Sequence, residues 1–123
     1  MPRHQVVIAD DDQITRTILN NILQAAGCDV IGQADNGADV IKLCAQLKPD
    51  ILFLDINMPK LNGFDALETI REVLPRLSVV MLSASSTLDN VRESMRLGAC
   101  SFVVKPFTQD KVLHALKSVK QTA

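Results

Sequence analysis

Five polar residues stand at or just beyond the ends of apolar runs, and their side chains suit phosphoryl chemistry. Val6-Val7-Ile8-Ala9 leads into Asp10-Asp11-Asp12, and Ile51-Leu52-Phe53-Leu54 leads into Asp55. Val79-Val80-Met81-Leu82 ends in Ser83, and Phe102-Val103-Val104 ends in Lys105-Pro106. If Asp10, Asp11 and Asp55 meet, up to three negative charges face the single ammonium of Lys105. Like charges held close raise carboxylate pKa values or demand a counter-cation. Oxygen ligands with one or two carboxylates and remaining waters describe a Mg²⁺ site rather than zinc. Once the charge is neutralised, a carboxylate can attack a phosphoryl group and become an aspartyl phosphate. Such transfer asks mainly for in-line positioning and charge stabilisation. Lys105 supplies charge, and the Ser83 hydroxyl can donate to a phosphoryl oxygen.

Taken singly these residues have plainer uses. Aspartates ahead of a helix serve as N-caps, and Asp12 is expected to keep that role. An Asp at a strand end or a Lys-Pro after one is commonly a turn. What joins them is the sheet. Continuous apolar runs bounded by turn residues read as strands buried on both faces of a parallel sheet. Ligands of such sheets sit in the crevice at the carboxyl ends of the strands.

Helical patterns alternate with these strands. The first helix is read from about Gln13 to Ala26, with Ile14, Ile18 and Ile22 on one face and Gly27 as its C-cap. A weaker strand over about Asp29 to Ala34, interrupted by Gly32, suits a sheet edge. The second helix is read over about Ala38 to Leu47, and the third over about Asn62 to Leu74 with Leu67, Ile70 and Leu74 inward. The fourth, about Thr87 to Leu97, presents Leu88, Val91 and Met95; the fifth, about Gln109 to Lys120, presents Val112, Leu116 and Val119. These are amphipathic spacings with stop signals at Gly27, Pro75 and Gly98. A βα unit repeated five times argues an open, doubly wound α/β sheet with helices on both faces. The flavodoxin-like order 2-1-3-4-5 is the natural candidate, and it brings Asp10, Asp11 and Asp55 together at its switch point.

Composition narrows the classes. At 123 residues the chain fits one domain, with 47% hydrophobic residues and only 3% aromatic, so its core must be aliphatic. A net charge of −1 gives no general reason to bind nucleic acid or an anionic membrane. No apolar run approaches a membrane span, and Met1-Pro2-Arg3-His4-Gln5 carries no apolar stretch for secretion. Three cysteines, Cys28, Cys44 and Cys100, have no paired spacing and fit reduced thiols of a cytoplasmic protein. Cys44 shares a helical face with Val40 and Leu47 and reads as a small buried hydrophobe.

Four motifs in order now carry a resemblance: the acidic pair Asp10-Asp11, Asp-Ile-Asn-Met-Pro-Lys-Leu-Asn-Gly from Asp55 to Gly63, Ser83-Ala84, and Phe-Val-Val-Lys-Pro-Phe from Phe102 to Phe107. Over essentially its whole length, 1–123, the chain resembles the receiver domain of bacterial two-component response regulators, of the single-domain chemotaxis kind. The resemblance implies Asp55 as phosphoacceptor, Asp11 as direct Mg²⁺ ligand and Asp10 acting largely through water. It implies the backbone carbonyl of Asn57 as a further ligand, with Mn²⁺ a possible substitute metal. Lys105 would pair with the phosphoryl oxygens, and Ser83 and Phe102 would form the switch. The Lys105–Pro106 bond is usually cis in the family.

Implied partners are a sensor histidine kinase or histidine phosphotransfer protein, and a downstream protein target on the face of the fourth helix, fifth strand and fifth helix. Lys111, His114 and Lys117, with Arg92 and Arg96, make that face basic and suit an acidic partner, or simply a solvated helix surface. No nucleic acid or membrane is implied. The chain would be a phosphoacceptor that assists its own phosphorylation and dephosphorylation rather than an enzyme. Asn57 and the short Ser85 flank the site and bear on phosphoryl lifetime.

A haloacid-dehalogenase-type phosphatase fits poorly, since its general acid, two residues after the nucleophile, is here Asn57. A flavodoxin fits poorly because three aspartates would repel its cofactor phosphate. The remaining alternatives are a phosphorylation-independent binding module and the N-terminal receiver of a longer, effector-bearing regulator.

Overall fold

The computed structural model describes residues 3–119. Five strands, β1 (Gln5–Ala9), β2 (Asp29–Ala34), β3 (Ile51–Asp55), β4 (Ser78–Ser83) and β5 (Ser101–Val104), alternate with five helices. The helices are α1 (Gln13–Ala25), α2 (Gly37–Leu47), α3 (Gly63–Val73), α4 (Leu88–Arg96) and α5 (Gln109–Lys117). All strand pairs are parallel, in the order β2-β1-β3-β4-β5. This is the flavodoxin-like doubly wound sheet expected from the sequence. β2 is an edge strand, with a register irregularity against β1 between Val6 and Val7.

Every residue of β3 and β4 is buried, because helices cover both faces. The pleat sends alternate side chains to opposite layers. Val7, Ala9, Leu52, Leu54, Val79 and Met81 pack with Val40 and Cys44 of α2 and Leu67 and Ile70 of α3. Val6, Ile8, Ile51, Phe53, Val80 and Leu82 pack with Leu19 and Leu23 of α1 and Val112 and Ala115 of α5. Phe53 is the one aromatic fully inside, in keeping with an aliphatic core.

Two helix faces differ from the sequence reading. In α1 the fully buried residues are Leu19 and Leu23, while Ile14 is 70% and Ile18 48% exposed. The helix carries two adjacent apolar stripes, and the leucine stripe takes the core. In α4 Leu88 and Met95 are also exposed, Val91 is half-buried, and the fully buried residue is Ser94. The Ser94 hydroxyl donates to the Asn90 carbonyl at 2.8 Å, so it enters the interior satisfied.

Ends of helices follow local chemistry. Asp12, Asn36, Asn62, Thr87 and Thr108 each cap a helix by accepting a backbone N–H. α1 ends at Ala25, two residues before Gly27, whose φ of 88° closes a turn in which the Gly27 and Cys28 N–H groups donate to Gln24 and Leu23. Gly98, at φ 84°, closes α4 in the same way, donating with Ala99 to Met95 and Ser94. α5 ends at Lys117; Lys120, to which the sequence pattern extended it, lies outside the described residues, as do Met1 and Pro2.

On the face opposite the strand carboxyl ends, the half-buried Arg71 of α3 binds, among the described residues, main-chain carbonyls alone. Its guanidinium donates to Leu97 at 3.2 Å, Gly98 at 2.6 Å, Pro75 at 3.4 Å, and also to Leu77. One planar cation thus ties α3, the turn before β4 and the end of α4 together.

Candidate functional site

The sheet order places the carboxyl ends of β1, β3, β4 and β5 side by side. Ala9 pairs with Leu54, Asp55 with Leu82, and Ser83 with Val104. Asp10 continues β1 by donating its N–H to the Ala34 carbonyl of β2 at 3.1 Å. Lys105 continues β5 by donating its N–H to the Ser83 carbonyl at 2.8 Å. The Lys105–Pro106 peptide is cis.

Within this crevice Asp10, Asp11 and Asp55 each offer a carboxylate oxygen, all within 4.8 Å of one another. Asp10 is fully buried and Asp55 nearly so, while Asp11 stands exposed at the rim. The Lys105 ammonium lies 2.5 Å from Asp10 Oδ2 and 3.3 Å from Asp55 Oδ2. Asp10 Oδ1 accepts from the Asp12 N–H at 2.9 Å, but Oδ2 has no well-directed hydrogen bond despite the nearby ammonium.

Burial pushes the Asp55 carboxyl up to about 6, the Asp10 charge adds to this, and Lys105 opposes both. Burial alone would pull the Lys105 ammonium down; its close contact with Asp10 and the charges of Asp55 and Asp10 carry it above its ordinary value. Three carboxylates against one ammonium leave a surplus of negative charge, and a buried carboxylate oxygen lacks a full partner. The donor set is all oxygen. These residues fit a hard divalent cation such as Mg²⁺.

Ser83 is fully buried, and its Oγ accepts the Ser85 N–H at 3.0 Å, which leaves its own proton to donate elsewhere. Asn57 is exposed and its N–H points to Asp55 Oδ1 at 3.4 Å. Phe102 does not stand opposite Ser83: its register partner is Met81, and its half-buried ring packs against the α2–α3 layer. The structure thus brings Asp10, Asp11, Asp55 and Lys105 into one cluster, with Ser83 at the neighbouring strand end and Phe102 lower on the sheet.

Two glycines seat the loop after β3. A Cβ on Gly63 would lie 2.2 Å from the Asp55 carbonyl oxygen, and one on Gly37 would lie 2.0 Å from that of Leu61. Side chains of any kind are therefore excluded at both. Gly63 falls within the motif quoted above, but Gly37 and Arg16, whose guanidinium reaches the Asp10 carbonyl, did not show in the sequence reading. The signal for Gly37 was a glycine opening a helix; for Arg16 it was a cation in a first helical turn, where the dipole disfavours one. The cysteines play no part: Cys28 and Cys44 are buried, and burial pushes the Cys44 thiol up to about 12.

The family model for the response regulator receiver domain matches residues 6–117. The chain belongs to the response regulator receiver family. The receiver is 38% identical over 117 residues to the chemotaxis protein CheY of Thermotoga maritima, covering 95% of this chain and 98% of that protein. It is 41% identical to the protein-glutamate methylesterase/protein-glutamine glutaminase of Archaeoglobus fulgidus, but spans 33% of that longer protein. In three dimensions it matches the CheX-CheY-BeF3-Mg²⁺ complex from Borrelia burgdorferi with a TM-score of 0.92 at 32% identity, over 97% of this chain and 90% of that one. It is thus a chemotaxis-like receiver domain of the two-component class, whose acidic pocket is consistent with Mg²⁺ binding and phosphorylation. No helix among the described residues is long and apolar enough to cross a membrane.

Proposed function

We propose that this receiver accepts a phosphoryl group on Asp55 from a sensor histidine kinase or histidine phosphotransfer protein. The observation that carries the reading is the carboxylate trio with Lys105 poised between Asp10 and Asp55. The BeF3 and Mg²⁺ in the Borrelia complex support it from a relative.

Asp11 would hold the metal directly and Asp10 mainly through water, with Asp55 and the Asn57 carbonyl completing the protein's share. Mg²⁺, or Mn²⁺ in its place, supplies charge neutralisation at the carboxylates and the phosphoryl oxygens. An Asp55 oxygen attacks phosphorus; the O–P bond forms as the donor's N–P bond breaks, and the electron pair leaves with the imidazole, which takes a proton. Lys105 holds the phosphoryl oxygens, and the Ser83 hydroxyl turns to donate to one of them. In the slow autodephosphorylation that follows, water attacks phosphorus, the Asp55 carboxylate leaves with its electron pair, and inorganic phosphate departs. Ser85 is short and half-buried beside the pocket, so it gives that water little obstruction.

Ser83 and Phe102 relay the change to the α4–β5–α5 face, where a downstream protein binds. Arg92, Lys111, His114 and Lys117 are exposed there, whereas Arg96 is held by Glu93 and by Glu68 of α3. An acidic partner surface fits these charges. The receiver is a signalling switch rather than an enzyme, acts in the cytoplasm, and comprises residues 1–123 as one unit. Its match to one third of the Archaeoglobus methylesterase favours a second arrangement, a receiver preceding an effector domain in a longer regulator.

The test is incubation with acetyl phosphate and Mg²⁺, followed by mass spectrometry. A hydroxylamine-labile phosphoryl group on Asp55, lost in Asp55→Asn and in EDTA, is expected. Undiminished labelling of Asp55→Asn, or hydroxylamine-resistant phosphate, would overturn the assignment. No labelling of a protein that binds Mg²⁺ would point instead to a phosphorylation-independent binding module.

A further inference from the structure

Arg16 occupies a position where a cation is disfavoured. It lies in the opening of α1, whose free N–H groups already concentrate partial positive charge. Its guanidinium nevertheless turns back along the chain, and Nη1 donates to the main-chain carbonyl of Asp10 at 2.6 Å. The Arg16 N–H donates to the Asp12 carbonyl at 3.1 Å, so the same residue holds both ends of the Asp10–Asp12 segment. The Asp10 N–H is fixed to Ala34, and the Asp12 N–H to the Asp10 side chain. Asp11 sits in the middle of this clasp, exposed, and its carboxylate accepts no hydrogen bond among the described residues. The main chain on either side therefore sets the direction of the bond from which that carboxylate hangs.

We infer that Arg16 is a positioning residue of the cation site. By holding the Asp10 carbonyl it fixes the Asp10–Asp11 peptide, so that the Asp11 carboxylate stands beside those of Asp10 and Asp55 before a cation arrives. This rests on the reading of the trio as the Mg²⁺ site. Arg16 has two effects on a divalent cation, and they have opposite signs. Its charge repels the ion, so by Coulomb's law alone its removal would tighten binding. Its hydrogen bond removes backbone freedom that would otherwise be lost on binding, so by that effect removal loosens it. Ordering the backbone of one residue corresponds to about tenfold in affinity, whereas the charge acts across a solvent-open rim, where the effective dielectric approaches that of water. Positioning wins.

The experiment is a titration of the isotope-labelled full chain with Mg²⁺ alone, followed by amide chemical shifts. Arg16→Ala and Arg16→Gln are expected to weaken Mg²⁺ binding by about tenfold. Arg16→Lys keeps the charge and one donor and is expected to recover most of the loss. Should Arg16→Ala fail to fold, Arg16→Gln against Arg16→Lys carries the comparison. Unchanged or tighter binding in the uncharged variants overturns the inference, as does equal loss in all three. The two readings fail separately. Wild-type protein that binds Mg²⁺ but takes no phosphoryl group from acetyl phosphate sinks the phosphoacceptor role and leaves Arg16's role standing. Arg16 variants with wild-type Mg²⁺ affinity sink only the latter.

Discussion

Burial, helped by the Asp10 charge and opposed by Lys105, pushes the Asp55 carboxyl from an ordinary 3.8 up to about 6. Between those values the native protein holds a proton on Asp55 that the unfolded chain has released. Native stability therefore falls as pH rises through that window, and above it the full cost of the ionised form remains. A shift of this size corresponds to on the order of 3 kcal/mol. Asp55→Asn, nearly isosteric, has no such proton to lose. In EDTA it is expected to melt several degrees above wild type at about pH 8, with the difference closing towards about pH 4. Thermal unfolding followed by circular dichroism across that range checks this; a difference constant with pH would show that the carboxylate charge is not its source. Protons and metal compete for the same oxygens, so Mg²⁺ affinity should fall as pH drops through about 6. At this scale Asp10, Asp55, Ser83 and Lys105 were legible because each ends an apolar run. Arg16 and Gly37 were not, because each acts on a backbone carbonyl, which leaves no trace in the identity of the residue it meets.

The helices show how far periodicity carries. α1 has isoleucines at 14, 18 and 22 and leucines at 19 and 23, two stripes a fraction of a turn apart, and either satisfies an amphipathic pattern. The sheet decides between them by burying Leu19 and Leu23 fully. Leu19→Ala is accordingly expected to cost about 2–5 kcal/mol in urea unfolding, and Ile18→Gln, on the half-open stripe, less than about 1. Equal losses would contradict the packing. Strands were easier to read: an apolar run such as Ile51–Leu54 has no exposed face, so no choice of side arises. The strand order 2-1-3-4-5 was the natural candidate for five βα units rather than something periodicity could give, and the inward face of α4 was not legible from its pattern. Its moderately apolar residues Leu88 and Met95 lie outside, and a serine lies within.

Across the whole molecule, the route proposed from the pocket to the α4–β5–α5 face runs along the sheet's last two strands. Ser83 ends β4 beside Val104, and Phe102 lies one pleat repeat below it, opposite Met81. With no hydroxyl to satisfy, the Phe102 ring is governed by packing alone, so in the proposed switch phosphorylation would act by shifting the balance of its positions. Phe102→Ala is expected to accept phosphate at Asp55 while losing the chemical-shift changes in α4 and α5 that accompany it in wild type. Persistence of those distant shifts would route the relay elsewhere. α4 itself is secured unequally. At its C-terminal end the Arg71 guanidinium holds the carbonyls of Leu97 and Gly98; beyond the Thr87 cap, its first turn has a 3.4 Å contact from the Asn90 amide to the Ser85 carbonyl. Such a helix should unzip from one end. In deuterium exchange the amides of Val91 and Arg92 should trade hydrogen before those of Arg96 and Leu97, in sub-global openings that leave the sheet protected. Replacing Arg71 with alanine should erase that polarity, making both ends of α4 exchange alike.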